Sequence, residues 1–308
     1  MNTENLIKKL STPNAVVDAI LDTDAYNEID DQFAIAYMLL SPERINVKGI
    51  TAAPFFNSLS DSPEDGMNKS YDEILKILSL MKKDSFKNLV FRGSTKYLDD
   101  EKTPVESDAA RFIVEEARKH SPEKPLYVVA IGAITNVASA ILMDREAMVN
   151  NTVIVWLGGH SKEWVDTKEF NMYQDIAAAR VVMLSGCAFV QLPCSGVVRE
   201  LRTTEWELKY WLDGQNDLGT YLYNNTRNAV KHKWHLALSR FIWDISAVAW
   251  LLNDNERMMK SYLIPAPIPE YDGKYSFDPR NHLIRYVYSV SRDDIFTDLF
   301  TKIRNYKA

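Results

Sequence analysis

One stretch near the N-terminal end constrains the fold more than any other part of the chain. A short apolar run, typical of a buried strand, ends at Asp22 and Asp24. After a five-residue turn that includes Glu28, Asp30 and Asp31 open a second apolar run with helical spacing. Carboxylates this close repel one another unless a cation or protons hold them. A plain helix cap uses one or two acids, so the stretch predicts a metal site where a strand ends and a helix begins.

Composition limits the class of protein. The 308 residues have a formal net charge of -6 and are 46% hydrophobic, which suits a single domain over residues 1–308 and argues against non-specific nucleic-acid binding. No apolar run approaches the ~18 residues of a membrane span, and the first ten residues lack the apolar core of a signal peptide. Cys187 and Cys194 are too few for a disulfide framework. We therefore expect a cytoplasmic protein with two reduced thiols.

Strands and helices alternate along the chain to about residue 195, and from residue 203 the pattern becomes mostly helical. The predicted strands are 16–21, 47–51, 88–91, 126–131, 152–157, 188–192 and 282–290. The predicted helices are 33–40, 68–81, 107–120, 137–142, 176–184, 206–211, 218–223, 236–252 and 293–304, with loops at 52–67, 92–106 and 159–175. This order predicts an α/β fold with a central mostly parallel sheet flanked by helices and a helical C-terminal portion.

Polar residues follow several of the predicted strands. They are Asp24, Asn57, Thr135, Glu169 and Asn171. Because the carboxyl ends of parallel strands meet at one edge of a sheet, where ligands collect, we expect these side chains to share a site. Taken alone, Thr135 would also suit a helix cap and Glu169 a solvated loop position.

The acidic residues of this chain supply oxygen ligands only. Asp244 lies among apolar residues of the predicted helix 236–252, and a buried acid in such surroundings needs a partner. With the four aspartates of the first turn it makes a set that suits a hard divalent cation such as Ca²⁺. The histidines show no zinc-site spacing; they are His120, His160, His232, His235 and His282.

Four motifs, in this order, resemble those of the inosine-uridine nucleoside hydrolase family. The family's opening D-x-D-P-G-x-D-D stands here as Asp22 to Asp31, with a turn two residues longer and without Pro-Gly. The family's T-N matches Thr135-Asn136, its E-F-N matches Glu169 to Asn171, and its late metal-binding Asp matches Asp244. The resemblance runs from about Val16 to the end of the chain.

The resemblance implies a Ca²⁺ ion at the bottom of a pocket. Its ligands would be Asp24, Asp31, Asp244 and the main-chain carbonyl of Thr135, with Asp22 supporting them from behind. A water whose pKa the ion lowers would attack the anomeric carbon, and Asp24 would take its proton. Family resemblance also suggests a homodimer or homotetramer.

The resemblance further implies which residues bind the substrate. Asp30, Asn57, Glu169 and Asn171 would bind the ribose hydroxyls of a nucleoside. Cleavage of its N-glycosidic bond passes through an oxocarbenium-like state, as glycoside hydrolysis does, and carboxylates near the sugar stabilise that charge.

The leaving base is the open part of this interpretation. Many family members carry a His before the late metal Asp as a leaving-group acid, whereas this chain has Trp243, which resembles the stacking aromatic of the purine-specific branch. Trp243 would also suit simple core packing. Candidates for a second stacking residue, not ranked by the sequence, are Tyr26, Phe55, Phe56 and Trp164.

Three other functions remain as alternatives. A divergent member could act on a different ribosyl substrate, and a non-catalytic protein could keep the nucleoside pocket. A phosphatase of the haloacid dehalogenase type also opens on strand-D-x-D, but the expected fifth residue is Thr or Val, where this chain has Tyr26.

Overall fold

The computed structural model describes residues 3–232 and 239–307. Its strands are β1 (Val17–Thr23), β2 (Ile45–Ala52), β3 (Val90–Phe91), β4 (Leu126–Ala130), β5 (Thr152–Leu157), β6 (Ala188–Leu192), β7 (Arg202–Thr204), β8 (Ser239–Phe241), β9 (Met259–Pro265), β10 (Pro267–Pro269), β11 (Tyr275–Phe277) and β12 (Leu283–Val290). Eight of them form one sheet in the order β3-β2-β1-β4-β5-β6-β12-β9. All neighbours in this sheet are parallel except β12 and β9.

Helices cover both faces of the sheet. They are α1 (Thr3–Lys9), α2 (Asp31–Leu39), α3 (Pro63–Leu80), α4 (Asp108–Ala117), α5 (Thr135–Met143), α6 (Arg145–Asn151), α7 (Phe170–Gln174), α8 (Ile176–Met183), α9 (Glu205–Leu212), α10 (Asp217–His232), α11 (Ile245–Leu251) and α12 (Arg292–Asn305). Short 3-10 helices lie at Asp84–Leu89, Val198–Glu200 and Asp254–Glu256. The α/β fold with a central, mostly parallel sheet is confirmed.

The central strands are buried at every position, because each of their faces meets a layer of helices. Every residue of β4, β5 and β6 is buried, which is typical of parallel strands covered on both sides. Neighbouring residues of one strand enter different core clusters. Leu21 packs with α2 and α11, whereas Ile20 packs with α4, α5 and α8. Apolar runs without alternation are therefore the correct signal for these strands.

The predicted loop 52–67 is wrong at its end, because α3 already begins at Pro63. The Ser62 hydroxyl accepts a hydrogen bond from the Asp65 N–H at 3.1 Å, which caps the helix. Pro63 occupies the first turn, where its missing N–H costs nothing. The Ser-Pro-Glu-Asp run was interpreted as a loop, but it has the composition of a helix start.

The predicted helix 236–252 is also wrong in its first half. Residues 236–238 lie outside the described residues, and Ser239–Phe241 form β8, which pairs antiparallel with β7. Helix α11 begins only at Ile245. Asp244 thus stands at the N-terminal end of a helix rather than inside one. A short apolar run does not distinguish strand from helix, and here the pairing partner β7 decided.

Other elements were not predicted. Helices α1, α6 and α7, strand β9 and the hairpin of β10 and β11 have no counterpart in the sequence interpretation. The first two residues of the predicted strand 88–91 end a 3-10 helix, and its last two form β3. Among the described residues, none of the helices has the length and apolar character needed to cross a membrane. Both cysteines are free thiols, as predicted.

Candidate active site

The end of β1 lies at the centre of the sheet's carboxyl edge, with β2 on one side and β4 on the other. Asp22 is fully buried there. One of its carboxylate oxygens accepts hydrogen bonds from the Thr51 hydroxyl at 2.6 Å and the Asn136 amide at 2.8 Å. Thr51 pairs with Asp22 in the parallel register, so β2 holds the donor opposite the acid. Asp22 therefore lies below the carboxyl edge of the sheet, a position that suits a residue supporting the neighbouring side chains.

Asp24 follows β1 directly and is almost fully buried. One oxygen of its carboxylate, Oδ2, is buried without a hydrogen-bond partner among the described residues. Gly132, beyond the end of β4, comes so close that a Cβ built on it would lie 2.9 Å from the other oxygen, Oδ1. The missing side chain of Gly132 therefore makes room for the Asp24 carboxylate.

Three further aspartates converge from two distant parts of the chain. Asp30, Asp31 and Asp244 each offer a carboxylate oxygen, and these oxygens lie within 4.8 Å of one another. The Thr23 hydroxyl donates to Asp31 at 2.5 Å. The main-chain N–H of Trp243 donates to Asp30 at 2.9 Å. The main-chain N–H groups that precede α11 thus hold this late segment against residues 24–31, which are called the acid turn below.

Burial and mutual repulsion raise the pKa values of these acids. Burial first, and then the charge of Asp31, raises the pKa of Asp24 well above its ordinary value. Asp244 is affected in the same direction by burial and by the charges of Asp30, Asp31 and Asp24. Burial raises the pKa of Asp22 to about 6, against hydrogen bonds that lower it. A cation among these carboxylates would remove the repulsion.

The acids open into a cavity of about 260 Å³. The predicted site residues that line it are Asp24, Asp30, Asp31, Glu169, Asn171, Trp243 and Asp244. They come from the ends of β1 and β5 and from the segment before α11. The structure therefore brings seven of the predicted residues to one place.

Glu169 and Asn171 hold the loop after β5. The Glu169 carboxylate accepts hydrogen bonds from the main-chain N–H groups of Gly159, Asn171 and Met172 at 2.9 to 3.0 Å, which caps α7. Burial nevertheless raises the pKa of Glu169 to about 7. The Asn171 amide donates to the main-chain carbonyls of Ile131 and Leu157, both at 3.0 Å. Asn171 thereby ties the ends of β4 and β5 together.

Thr135 and Asn57 were predicted to reach the site, but neither lines the cavity. Thr135 is the first residue of α5, is fully buried, and donates its hydroxyl proton to Asp175 at 2.7 Å. The Asn57 amide donates to Asn27 at 2.6 Å, and it is Asn27 that lines the cavity. In place of Thr135, the end of β4 brings Ile131 to the cavity wall.

Several lining residues were missed by the sequence interpretation as site residues. They are Asn27, Glu28, Ile131, Leu157, His160, Lys168, Phe170, Cys194 and Ser195. Most of them follow the carboxyl end of β4, β5 or β6, so proximity to a strand end was the signal that could have found them. Glu28 forms an ion pair with Arg240, which links the acid turn to the segment of Trp243.

Trp243 forms part of the aromatic wall of the cavity. Its ring stacks on that of Phe241, with the ring centroids 5.0 Å apart and the planes 11° apart. None of the four predicted partners, Tyr26, Phe55, Phe56 and Trp164, lines the cavity. The second aromatic residue in the lining is Phe170, which directly follows Glu169.

The sequence of this chain is similar to those of known proteins. A family model described as inosine-uridine preferring nucleoside hydrolase matches residues 19–292. The chain is 29% identical over 194 residues to "Probable uridine nucleosidase 2" of Arabidopsis thaliana, covering 56% of this chain and 57% of that protein. It is also 29% identical over 188 residues to "Pyrimidine-specific ribonucleoside hydrolase RihA" of Salmonella arizonae, covering 54% and 57%. The chain thus matches a little over half the length of these curated relatives.

Structural comparison agrees about the fold. A solved structure described as "Purine-Preferring Ribonucleoside Hydrolase from Gardnerella vaginalis" superposes with a TM-score of 0.76 at 20% identity. The match covers 94% of this chain and 98% of that chain. At this identity the likeness establishes a common architecture.

Proposed function

This chain belongs to the inosine-uridine preferring nucleoside hydrolase family, and we propose that it hydrolyses the N-glycosidic bond of ribonucleosides, with Ca²⁺ as its metal ion and purine nucleosides as its preferred substrates. The observation that carries the proposal is the convergence of Asp24, Asp30, Asp31, Asp244 and Glu169, all buried, on one cavity at the carboxyl edge of the sheet. A haloacid dehalogenase-type phosphatase is not supported. Its nucleophile would be the first Asp, which here lies beneath the edge and outside the cavity lining.

The donor set fits a hard divalent cation. The family is metal-dependent, and the oxygens of Asp30, Asp31 and Asp244 already lie within 4.8 Å of one another. The buried Oδ2 of Asp24 has no hydrogen-bond partner among the described residues, which a cation would supply. These all-oxygen ligands suit Ca²⁺ better than Zn²⁺. When bound, the ion would lower the pKa of water and orient the ribose hydroxyls.

The main-chain ligand predicted at Thr135 is better assigned to Ile131. Thr135 is buried inside the first turn of α5, away from the cavity lining. Ile131 follows β4, and its N–H donates to the Asp22 carbonyl on β1 at 2.9 Å. Its own carbonyl is reached by the Asn171 amide, whose residue also lines the cavity. We therefore assign Asp24, Asp31, Asp244 and the Ile131 carbonyl as the metal ligands.

The ribose would lie between the acid turn and the loop after β5. Asp30 and Glu169 offer carboxylate oxygens there, and Asn171 lies between β4 and β5. The predicted role of Asn57 becomes indirect, because its amide holds Asn27 at the cavity wall. Carboxylates around the ring would stabilise the positive charge that develops as the glycosidic bond breaks.

Asp24 is the residue that would take the proton from the attacking water. A general base must lie within reach of the proton that it takes, and Asp24 is the buried acid at the end of β1 that lines the cavity. Asp22, held by Thr51 and Asn136, would keep this end of the site in place.

The preference for purines rests on Trp243. Its ring is part of the cavity wall and is backed by the parallel ring of Phe241, so a planar base could stack against it. A larger ring system gains more from such stacking. The curated relatives are named for uridine and pyrimidine nucleosides, so the ranking of bases is the discriminating measurement.

Product release provides the test. Inosine, adenosine, guanosine, uridine and cytidine would be incubated with the protein in Ca²⁺ and again after chelation, and free ribose and base measured. We expect base release that disappears on chelation, with purines ahead. Asp24→Asn should retain the fold and lose at least ~100-fold in turnover. Asp18→Asn, at the opposite end of β1, is the matched control and should keep full activity.

Negative outcomes separate the alternatives. Turnover that survives complete chelation would contradict the metal assignment. Ca²⁺ binding without release of any base would favour a different ribosyl substrate or a non-catalytic nucleoside-binding protein. The predicted cytoplasmic location and homodimer or homotetramer stay predictions; sedimentation of the purified chain tests the latter.

A further inference from the structure

His160 lines the cavity, yet the mechanism proposed above gives it no role. It follows Gly158 and Gly159 at the end of β5. The main-chain N–H of Ser195 approaches its Nδ1 atom at 3.2 Å. A peptide N–H can only donate a hydrogen bond, so Nδ1 must be the acceptor and carries no proton. This contact determines the tautomer of His160, with its ring proton on Nε2.

The surroundings of His160 favour the neutral ring. Burial lowers its pKa, the positive charge of Arg199 acts in the same direction, and Asp166 opposes them. A second ring proton on Nδ1 would also point at the Ser195 N–H. Among the described residues, Nε2 has no hydrogen-bond partner. His160 therefore presents one unused N–H donor at the wall of a cavity whose other polar groups are mostly acids.

The order of the strands gives the approximate separation of the two strand ends that lead into the acid turn and into His160. Asp24 follows β1 and His160 follows β5, two strands away in the order β1-β4-β5. With strands about 4.8 Å apart, the two strand ends lie about 10 Å apart. A ribosyl group whose ring hydroxyls meet the acids, with hydrogen bonds of about 2.9 Å at each end, spans a comparable length to the oxygen on its exocyclic carbon.

The neighbours of His160 indicate which part of the substrate it meets. The N–H of Gly159, the preceding residue, donates to the Glu169 carboxylate at 2.9 Å. Glu169 belongs to the proposed ribose site. Trp243, the proposed stacking wall for the base, belongs to a different segment, the one before α11, and its main-chain N–H donates to Asp30 in the acid turn. His160 is thus next to the sugar side of the cavity.

We infer that His160 is a specificity-determining residue, whose Nε2–H donates a hydrogen bond to the 5′-oxygen of the ribosyl group. The inference rests on the proposed function, since it uses the place of the ribose proposed there, between the acid turn and the loop after β5. His160 transfers no proton to the leaving base in this role. It selects substrates that carry an acceptor at the 5′ position, and it fixes the far end of the sugar.

Inosine and 5′-deoxyinosine test the inference, because they differ only in the acceptor. In the wild-type protein, we expect kcat/KM to fall about tenfold when the 5′-hydroxyl is removed, which corresponds to one neutral hydrogen bond. His160→Phe should lose a similar factor on inosine and almost nothing on 5′-deoxyinosine. His160→Gln, which restores an N–H donor, should recover part of the loss on inosine.

His282→Phe is the matched control. His282 is also partly buried, and burial lowers its pKa too, but it does not line the cavity. We expect it to change kcat/KM for the two substrates by the same factor. Equal losses on both substrates in His160→Phe, or no loss on inosine, would overturn the inference.

The inference and the proposed function can fail separately. If no nucleoside is hydrolysed, calorimetric Kd values for inosine and 5′-deoxyinosine with Ca²⁺ give the same comparison without turnover. If His160→Phe weakens binding of inosine but not of 5′-deoxyinosine, the role of His160 is supported even though the hydrolase proposal fails. If inosine is hydrolysed but His160→Phe lowers kcat/KM for both substrates by the same factor, the hydrolase proposal is supported and the role of His160 is refuted. Absence of binding of both ribosides would overturn both.

Discussion

Without a bound cation, the free energy of unfolding of this protein should fall as the pH rises. The carboxyls of Asp22 and Glu169 are buried, and burial raises their pKa values to about 6 and about 7. Both acids bind protons more tightly in the folded than in the unfolded chain. The folded state therefore gains stability at low pH, and this gain is lost as pH rises through the folded pKa values.

The magnitude follows from linkage. Between pH 5 and pH 8, Asp22 accounts for a loss of about 1 kcal/mol in the free energy of unfolding and Glu169 for about 3 kcal/mol. Together they give about 4 kcal/mol, and Asp24 and Asp244 act in the same direction. His160 has a lowered pKa and opposes the trend.

A bound cation should counteract this loss. Its ligands must be deprotonated, so its affinity and the stability that it adds both increase with pH. Urea unfolding at pH 5, 6, 7 and 8, with excess Ca²⁺ and with chelator, measures the difference directly. We expect the gap between the two conditions to widen steadily from pH 5 to pH 8.

A matched variant separates the acids from other titrating groups. Glu169→Gln should remove about 3 kcal/mol of the pH-dependent loss in the chelated protein. A gap between the Ca²⁺ and chelated forms that stays constant or narrows with pH would refute the reasoning. It would mean that the carboxyls of Asp24, Asp31 and Asp244 are not the groups that a cation holds.

Three substitutions test other parts of the structure. Trp243→Ala should reduce hydrolysis of purine nucleosides more than that of p-nitrophenyl riboside, whose leaving group needs no protonation, whereas the exposed Trp206→Ala should affect neither; equal losses on both substrates would count against stacking. Gly132→Ala should lower turnover and Ca²⁺ affinity at least tenfold, because its Cβ would lie 2.9 Å from an Asp24 oxygen, and unchanged values would show that the loop can yield. Ser62→Ala should cost about 1 kcal/mol of stability in urea unfolding through loss of the α3 cap, with activity unchanged.

Most of the fold could be predicted, because parallel strands buried on both faces have a local signature. The runs that became β4, β5 and β6 are continuously apolar, and they were found within a residue of their ends. The start of α3 was missed because Pro63 and its acidic neighbours were weighed as loop residues rather than as a first turn. β8 was missed because its pairing partner, not its own composition, determines its conformation.

The acid turn could also be predicted, but the rest of the site only in part. Asp22 through Asp31 are close in sequence, so their meeting at one strand end follows from the chain itself. Thr135 is the first residue of α5 and is buried there, whereas Ile131, four residues earlier, lines the cavity. The hydrogen bond from Asn57 to Asn27 determines where the Asn57 side chain lies, and that contact depends on the path of the longer turn.

The sequence by itself therefore determined the sheet-centred α/β class and the acidic character of its edge, since both follow from the order of local apolar runs and from acids adjacent along the chain. Only the tertiary structure decided which side chains share the cavity. Asp244 joins Asp30 and Asp31 across more than 200 residues through main-chain hydrogen bonds ahead of α11. His160 acquires its fixed tautomer from a peptide group of another strand end. Side-chain direction and long-range contact depend on how the elements pack, and no local pattern records them.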